Sequence, residues 1–169
     1  RSEAELGPDR ALVSAKSLAE RLREAARTIN PAEAAERAAS TDPLARFAEW
    51  MSGEETLALL RHVTDLPLIA FADAQATAYA PGDFLTAHDD DVAGKKRHAA
   101  YVYSLTPEWR TEWGGLLLFH DGPTRVREGF VPAFNTLNLF AIPQLHSVSQ
   151  VTRAAPDRRY SITGWLRSR

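Results

Sequence analysis

His88, Asp90 and His146 are the residues of this chain whose types and spacing suit a metal ion. The first two sit in Phe84-Leu85-Thr86-Ala87-His88-Asp89-Asp90, and the third in Gln144-Leu145-His146-Ser147-Val148. In an extended strand alternate side chains share a face, so His88 and Asp90 are expected to point one way and Asp89 the other. A single His-x-Asp carries little weight. A second imidazole on another strand-like run changes that, because two histidines and one carboxylate suit ferrous iron and leave coordination positions open for oxygen chemistry. An arginine, Arg159, then opens a further strand-like run, Tyr160-Ser161-Ile162-Thr163-Gly164-Trp165.

The other candidate ligands read differently. His62 lies near the end of an expected helix, where a positive charge suits the dipole. His98 follows Lys95-Lys96-Arg97 and is expected to be exposed. His120 and Asp121 are adjacent at a strand end, where neighbours face opposite ways and chelate poorly. Taken one at a time, His88 and His146 are ordinary structural histidines, and Asp89-Asp90-Asp91 is an ordinary solvated turn. Only their combination points to a site.

The elements that must position these groups fall into two halves. Leu12, Ala15, Ala19, Leu22, Ala26 and Ile29 recur at helical spacing, the stripe of an amphipathic helix. Asn30-Pro31 and Asp42-Pro43 each put a capping side chain before a proline. Ser52-Gly53-Glu54-Glu55 reads as a capping box opening a helix through about Val63. After Pro67 the texture changes to short apolar or alternating runs. Strands are expected at Leu68–Phe71, Thr77–Tyr79, Phe84–His88, Ala99–Leu105, Gly115–Phe119, Arg125–Val131, Thr136–Ala141, Ser147–Val151 and Arg159–Leu166, punctuated by Pro81-Gly82-Asp83, Asp121-Gly122-Pro123 and Ala155-Pro156-Asp157. Helices first and strands after make the class α+β, one domain over 1–169 with a helical part at 1–66 packed outside a β-core at 67–167.

Composition narrows the function. The 169 residues are 44% hydrophobic and 25% charged, a globular balance, and the net charge of −2 argues against a surface built for nucleic acid. The absence of cysteine excludes disulfides, zinc–thiolate sites, iron–sulfur clusters and thiol nucleophiles, and fits a reducing, cytoplasmic setting. No stretch approaches the roughly 20 apolar residues that cross a bilayer, so no membrane partner is expected. A start at Arg1 rather than methionine fits the trimming of a short leader. Oligomeric state leaves no signal in the sequence.

A longer set of residues carries a family resemblance: Tyr79-Ala80-Pro81-Gly82-Asp83-Phe84-Leu85, His88-Asp89-Asp90, Arg97 with Ala99–Leu105, Trp113-Gly114-Gly115-Leu116-Leu117, Phe134-Asn135-Thr136-Leu137, His146-Ser147-Val148, and Arg159-Tyr160-Ser161-Ile162-Thr163-Gly164-Trp165. With these residues the chain resembles the 2-oxoglutarate- and iron(II)-dependent oxygenases of the prolyl 4-hydroxylase type. Within them it is most similar to the subgroup that includes hydroxylases of prolines in ribosomal proteins.

The resemblance implies a double-stranded β-helix, or jelly roll, with Fe(2+), 2-oxoglutarate and O2 at its mouth. It implies His88, Asp90 and His146 as the iron ligands and catalytic centre. Arg159 and Tyr79 would hold the far carboxylate of 2-oxoglutarate, the planar fork of the arginine matching a carboxylate as a lysine cannot. Ser161, on the same strand face as Arg159, would lend a hydroxyl, and Leu117 an apolar wall. Arg97 and Trp165 match substrate-binding positions near the entrance. Ascorbate binding is a further expectation of the type. One departure stands out: many relatives have a tyrosine where this chain has Ser104, with Tyr101 and Tyr103 nearby, and strand register decides which of these faces the pocket.

The activity so implied is hydroxylation of a C–H bond, on a prolyl residue of a protein or peptide, with release of succinate and CO2. The charged segment Asp89–Arg97, with Gly94, is a candidate loop over an open groove. Two alternatives remain at this point: the same chemistry on a free amino acid or other small molecule, and a non-catalytic metal-binding β-helix sensor.

Overall fold

The computed structural model describes residues 42–169; the expected helix over Leu12–Ile29 and the Asn30-Pro31 cap lie outside them. The first helix, α1 (Pro43–Met51), starts as its sequence dictates. Asp42 caps it by accepting a hydrogen bond from the Leu44 N–H at 3.1 Å, with proline in the first turn.

Helix α2 (Glu54–Thr64) corrects the expected capping box. Its cap is Gly53, with no side-chain bond, and Ser52 instead closes α1. The Ser52 hydroxyl is engaged by a distant strand: it accepts from the Ala72 N–H at 3.0 Å and donates to the Ala72 carbonyl at 3.2 Å. Arg61 adds a second tie by donating from Nε to the Ile69 carbonyl at 2.7 Å. These bonds fasten the helix pair to the chain that enters the sheets.

Nine strands follow: β1 (Phe71–Ala72), β2 (Gln75–Tyr79), β3 (Leu85–His88), β4 (Arg97–Ser104), β5 (Leu117–His120), β6 (Val126–Phe130), β7 (Thr136–Ala141), β8 (His146–Val148) and β9 (Arg159–Arg167). The larger sheet runs β1-β9-β4-β7, with β2 also paired to β9; the smaller runs β3-β8-β5-β6. Every pairing between named strands is antiparallel. Helices outside a two-sheet β-core, the double-stranded β-helix arrangement, match the expected class.

Register assigns the faces of the larger sheet. Tyr79 lies opposite Arg159 and Thr77 opposite Ser161, while Val102 pairs with Thr163 and Ala100 with Trp165. These residues share the inner face. The intervening Tyr160, Ile162 and Leu166 of β9, with Ala99 and Tyr101 of β4, face the helices and pack with Leu44, Met51, Leu57 and Leu60. Burial of this apolar set contributes the main stabilisation of the helix layer, about 1.5–3 kcal/mol for each fully enclosed large side chain. A smaller cluster of Val102, Leu117 and Phe119, with Phe140 against it, ties the two sheets together. Its Phe119–Phe140 pair meets edge to face, 5.0 Å between centroids.

The same register answers the tyrosine question. Tyr101 and Tyr103 both turn their rings to the helix side, 6.2 Å and 5.5 Å from the Phe47 ring. Ser104, paired with Ser161, does face inward. Among the described residues no helix is long and apolar enough to cross a membrane.

Gly164 is the tightest point of the larger sheet. A Cβ there would sit 2.0 Å from the Asp73 carbonyl oxygen and 2.6 Å from the Tyr101 hydroxyl. Since one obstacle is backbone, it cannot be relieved by a rotamer change. Gly164→Ala is therefore expected to destabilise the protein by about 3 kcal/mol, read as a lowered midpoint in urea; an unchanged midpoint would contradict this packing.

Candidate metal centre and anion pocket

The three expected ligands meet. Their donor atoms all lie within 4.8 Å of one another, the only such metal-capable cluster among the described residues. His88 Nε2 is 3.7 Å from Asp90 Oδ1, and His146 Nε2 is 3.5 Å from Asp90 Oδ2. Both imidazoles are turned by the backbone next to them: His88 Nδ1 bonds the Thr86 carbonyl at 2.8 Å, and His146 Nδ1 bonds the Gln144 carbonyl at 2.7 Å. A carbonyl only accepts, so each Nδ1 carries the proton and each Nε2 presents a lone pair to the centre. Burial pushes the His146 pKa below its ordinary value, as does His88, against the pull of the Gln144 bond and of Asp90. A neutral ring is the form that binds a metal.

Asp90 reaches the cluster by a route that strand alternation does not describe. Strand β3 ends at His88, and Asp90 adopts a left-handed backbone, φ 64°. That region costs a residue with a side chain roughly 1–2 kcal/mol, least for aspartate and asparagine. The turn bends the chain back so that the carboxylate faces both imidazoles. Asp89 is exposed, and its Oδ1 accepts from the Asp91 N–H at 3.1 Å.

Beside these ligands lies a cavity of about 90 Å³, bounded by Tyr79, Leu117, His146, Arg159 and Trp165 among others. That is room for several water-sized groups. Arg159 is 2% exposed, and its Nε has no hydrogen-bond partner among the described residues. Burial lowers its pKa to about 10, so it remains a cation at neutral pH. Its Cζ lies 5.4 Å from the centre of the Tyr79 ring, across the β2–β9 pair. Burial raises the Tyr79 pKa, with Arg159 pulling the other way, which keeps the phenol as a donor. An enclosed guanidinium without an anion, beside a phenolic donor, fits the carboxylate of a small diacid.

The remaining expected residues divide. Leu117 is buried in the cavity wall. Ser161 is buried too, its hydroxyl 2.6 Å from that of Thr77. Arg97 is held inward: its Cζ lies 3.5 Å from the centre of the Trp165 ring, and Nη1 lies 3.7 Å from Asp90 Oδ1. Trp165 lines the cavity with its Nε1 buried and unpartnered among the described residues. His120 stays out of the cluster and bonds the Ser147 hydroxyl at 2.7 Å. His98, expected on the surface, is half-buried at the start of β4.

Two contributors escaped the sequence reading. Thr77 alternates with Tyr79 on β2, and the period-two rule applied there would have found it. Phe140 packs its ring 4.6 Å from that of His146, a contact between consecutive strands of the two different sheets that alternation along either strand does not reveal.

Comparison with known proteins agrees with this geometry. A profile of the 2OG-Fe(II) oxygenase superfamily matches residues 74–167. The chain is 30% identical over 120 residues to mouse prolyl 3-hydroxylase OGFOD1, covering 67% of this chain and 22% of that protein. It is 29% identical over 127 residues to the Xenopus laevis protein of the same name, covering 71% and 22%. The chain thus spans about a fifth of the length of these curated relatives. Among solved structures, a Pseudomonas putida prolyl-4-hydroxylase has the same fold, with TM-score 0.59 and 24% identity over 89% of this chain and 83% of that one. A prolyl hydroxylase from Trichoplax adhaerens gives TM-score 0.55 and 22% identity over 66% and 52%. Its profile match covers more than half of the sequence and contains every residue of the metal cluster and anion pocket: the chain belongs to the 2OG-Fe(II) oxygenase superfamily.

Proposed function

We propose that the protein hydroxylates a prolyl residue of a protein or peptide, using ferrous iron, 2-oxoglutarate and oxygen. The observation that carries this reading is one cavity with two opposed features: a His-Asp-His donor set and a buried guanidinium whose Nε has no partner among the described residues. His88, Asp90 and His146 hold the iron through Nε2, a carboxylate oxygen and Nε2. Arg159 and Tyr79 hold the far carboxylate of 2-oxoglutarate, and Leu117 excludes water beside it. Bound iron and 2-oxoglutarate supply the oxidising power, yielding succinate and CO2; the protein orients the target C–H bond and keeps solvent away.

The surroundings of the cavity support a polypeptide substrate. Phe84, Leu85 and Val92, at 57%, 39% and 47% exposure, flank His88 and Asp90 in the sequence. Exposed apolar side chains grouped beside a site are the kind of surface that a larger partner covers. The similar proteins point the same way: the curated relatives are named prolyl 3-hydroxylases, and the Trichoplax structure holds a peptide fragment of hypoxia inducible factor.

Two results test the reading. His88→Ala and Asp90→Ala are expected to reduce substrate-dependent succinate formation by at least a thousandfold, while proline-containing peptides, and not free proline, gain one oxygen by mass spectrometry with the wild type. Turnover by either variant at the wild-type rate refutes the ligand roles, and oxygen gain by free proline alone refutes the polypeptide substrate.

Arg159→Met provides the second. Removing a buried charge that forms no ion pair among the described residues is expected to leave the ligand-free protein as stable as before or more so. Wild-type protein loaded with Mn(II) should melt several degrees higher in saturating 2-oxoglutarate, and the variant should show no such rise. An equal rise in both would remove Arg159 from the pocket's function.

A further inference from the structure

We propose that Arg97 is a positioning residue that holds the metal-binding carboxylate of Asp90 in place. The proposal rests on Asp90 being a ligand and asks what keeps it there. Asp90 lies past the end of β3, outside every strand ladder, with its backbone in the left-handed region. Its carboxylate faces the two imidazoles. Arg97 is the cation that grips both parts of this residue: Nη1 donates to the Asp90 carbonyl oxygen at 3.2 Å and lies 3.7 Å from Oδ1.

Arg97 is itself fixed by the larger sheet. Its guanidinium lies on the Trp165 ring, 3.5 Å from Cζ to the ring centre, and its side chain is only 15% exposed. Asp73 anchors Trp165 in turn, accepting its backbone N–H through Oδ1 at 2.7 Å. The Asp73 carbonyl accepts from the Tyr101 hydroxyl at 2.6 Å, and Oδ2 lies 3.2 Å from Arg167 Nη1. Rigid strand thus supports tryptophan, tryptophan supports arginine, and arginine supports the aspartate of the loop. Arg97 Nε is left buried without a partner among the described residues. An arginine serving only as a solvated surface charge would keep that group in water.

Lysine cannot replace this arrangement. A compact ammonium has no plane to stack on the indole and cannot keep one hydrogen on the carbonyl while its charge stays fixed beside the carboxylate. Partners that orient a metal ligand typically change metal affinity by 10–100-fold when removed, and that sets the expected size of the effect.

The test is direct binding of Mn(II), followed by electron paramagnetic resonance without 2-oxoglutarate or substrate, to the wild type, Arg97→Ala, Arg97→Lys, Trp165→Phe and Asp90→Ala. Arg97→Ala is expected to bind Mn(II) about tenfold or more weakly, Arg97→Lys to recover little of that loss, and Trp165→Phe, which keeps a smaller aromatic face, to fall between the wild type and Arg97→Ala. At saturating Co(II) the visible absorption of Arg97→Ala should also shift while its melting temperature does not, which separates ligand placement from general damage. If Arg97→Ala fails to fold, Arg97→Lys carries the test by the same criterion. Wild-type Mn(II) affinity in the folded Arg97 variants, with binding lost in Asp90→Ala, overturns the proposal and leaves Arg97 as a substrate contact at most. Wild-type affinity in Asp90→Ala overturns the ligand role beneath it and the proposal together.

Discussion

A buried positive charge whose Nε finds no hydrogen-bond partner among the described residues governs this molecule. Arg159 opens β9, is almost wholly enclosed, and loses part of its basicity to that enclosure. A hydrophobic core would exclude such a group. It is tolerated because the inner face of the larger sheet is polar along that line: Tyr79, Thr77 and Ser161 surround it, and the Thr77–Ser161 hydroxyl pair satisfies itself. The stability of the fold must then come from elsewhere, and the helix-covered outer face provides it. The sheet can hold a pocket around a buried cation on one side because it buries a continuous apolar cluster on the other.

The metal cluster follows a related logic. Each histidine is aimed by a carbonyl two residues before it, so neighbouring backbone turns both rings, with Phe140 of the larger sheet packed on that of His146. Asp90 has no such local support. Its position depends on a turn at unfavourable dihedrals and on contacts that cross to the other sheet. The centre is therefore assembled from two kinds of part, one set by neighbouring backbone and one set by long-range packing.

That division explains what could be read from the amino acids. Strand Thr136–Ala141 has the bounds expected of it, since its alternation and the turn residues before it are local. The set of His88, Asp90 and His146 is singled out by residue type and spacing, and Arg159 by the family resemblance of its run; neither signal depends on exact element bounds. Failures came where a distant partner decides. Leu68 was placed in a strand but is 66% exposed, with pairing delayed until Phe71 meets Arg167. Ser52 looked like a helix cap because nothing local reveals that Ala72 takes its hydroxyl. The shared face of His88 and Asp90 was expected from strand alternation and arises from a left-handed turn instead. The facing of Tyr101 could not be read at all until its pairing with Gly164 was known.

The alternation along β9 has a wider consequence. Arg159, Thr163 and Trp165 line the cavity and Ser161 shares their face, while Tyr160, Ile162 and Leu166 look toward the helices. Reactivity and foldedness are thus written on alternate letters of one short stretch. A lineage carrying this architecture can retune what its cavity accepts by changing odd-numbered letters, leaving the even-numbered ones to keep the chain folded.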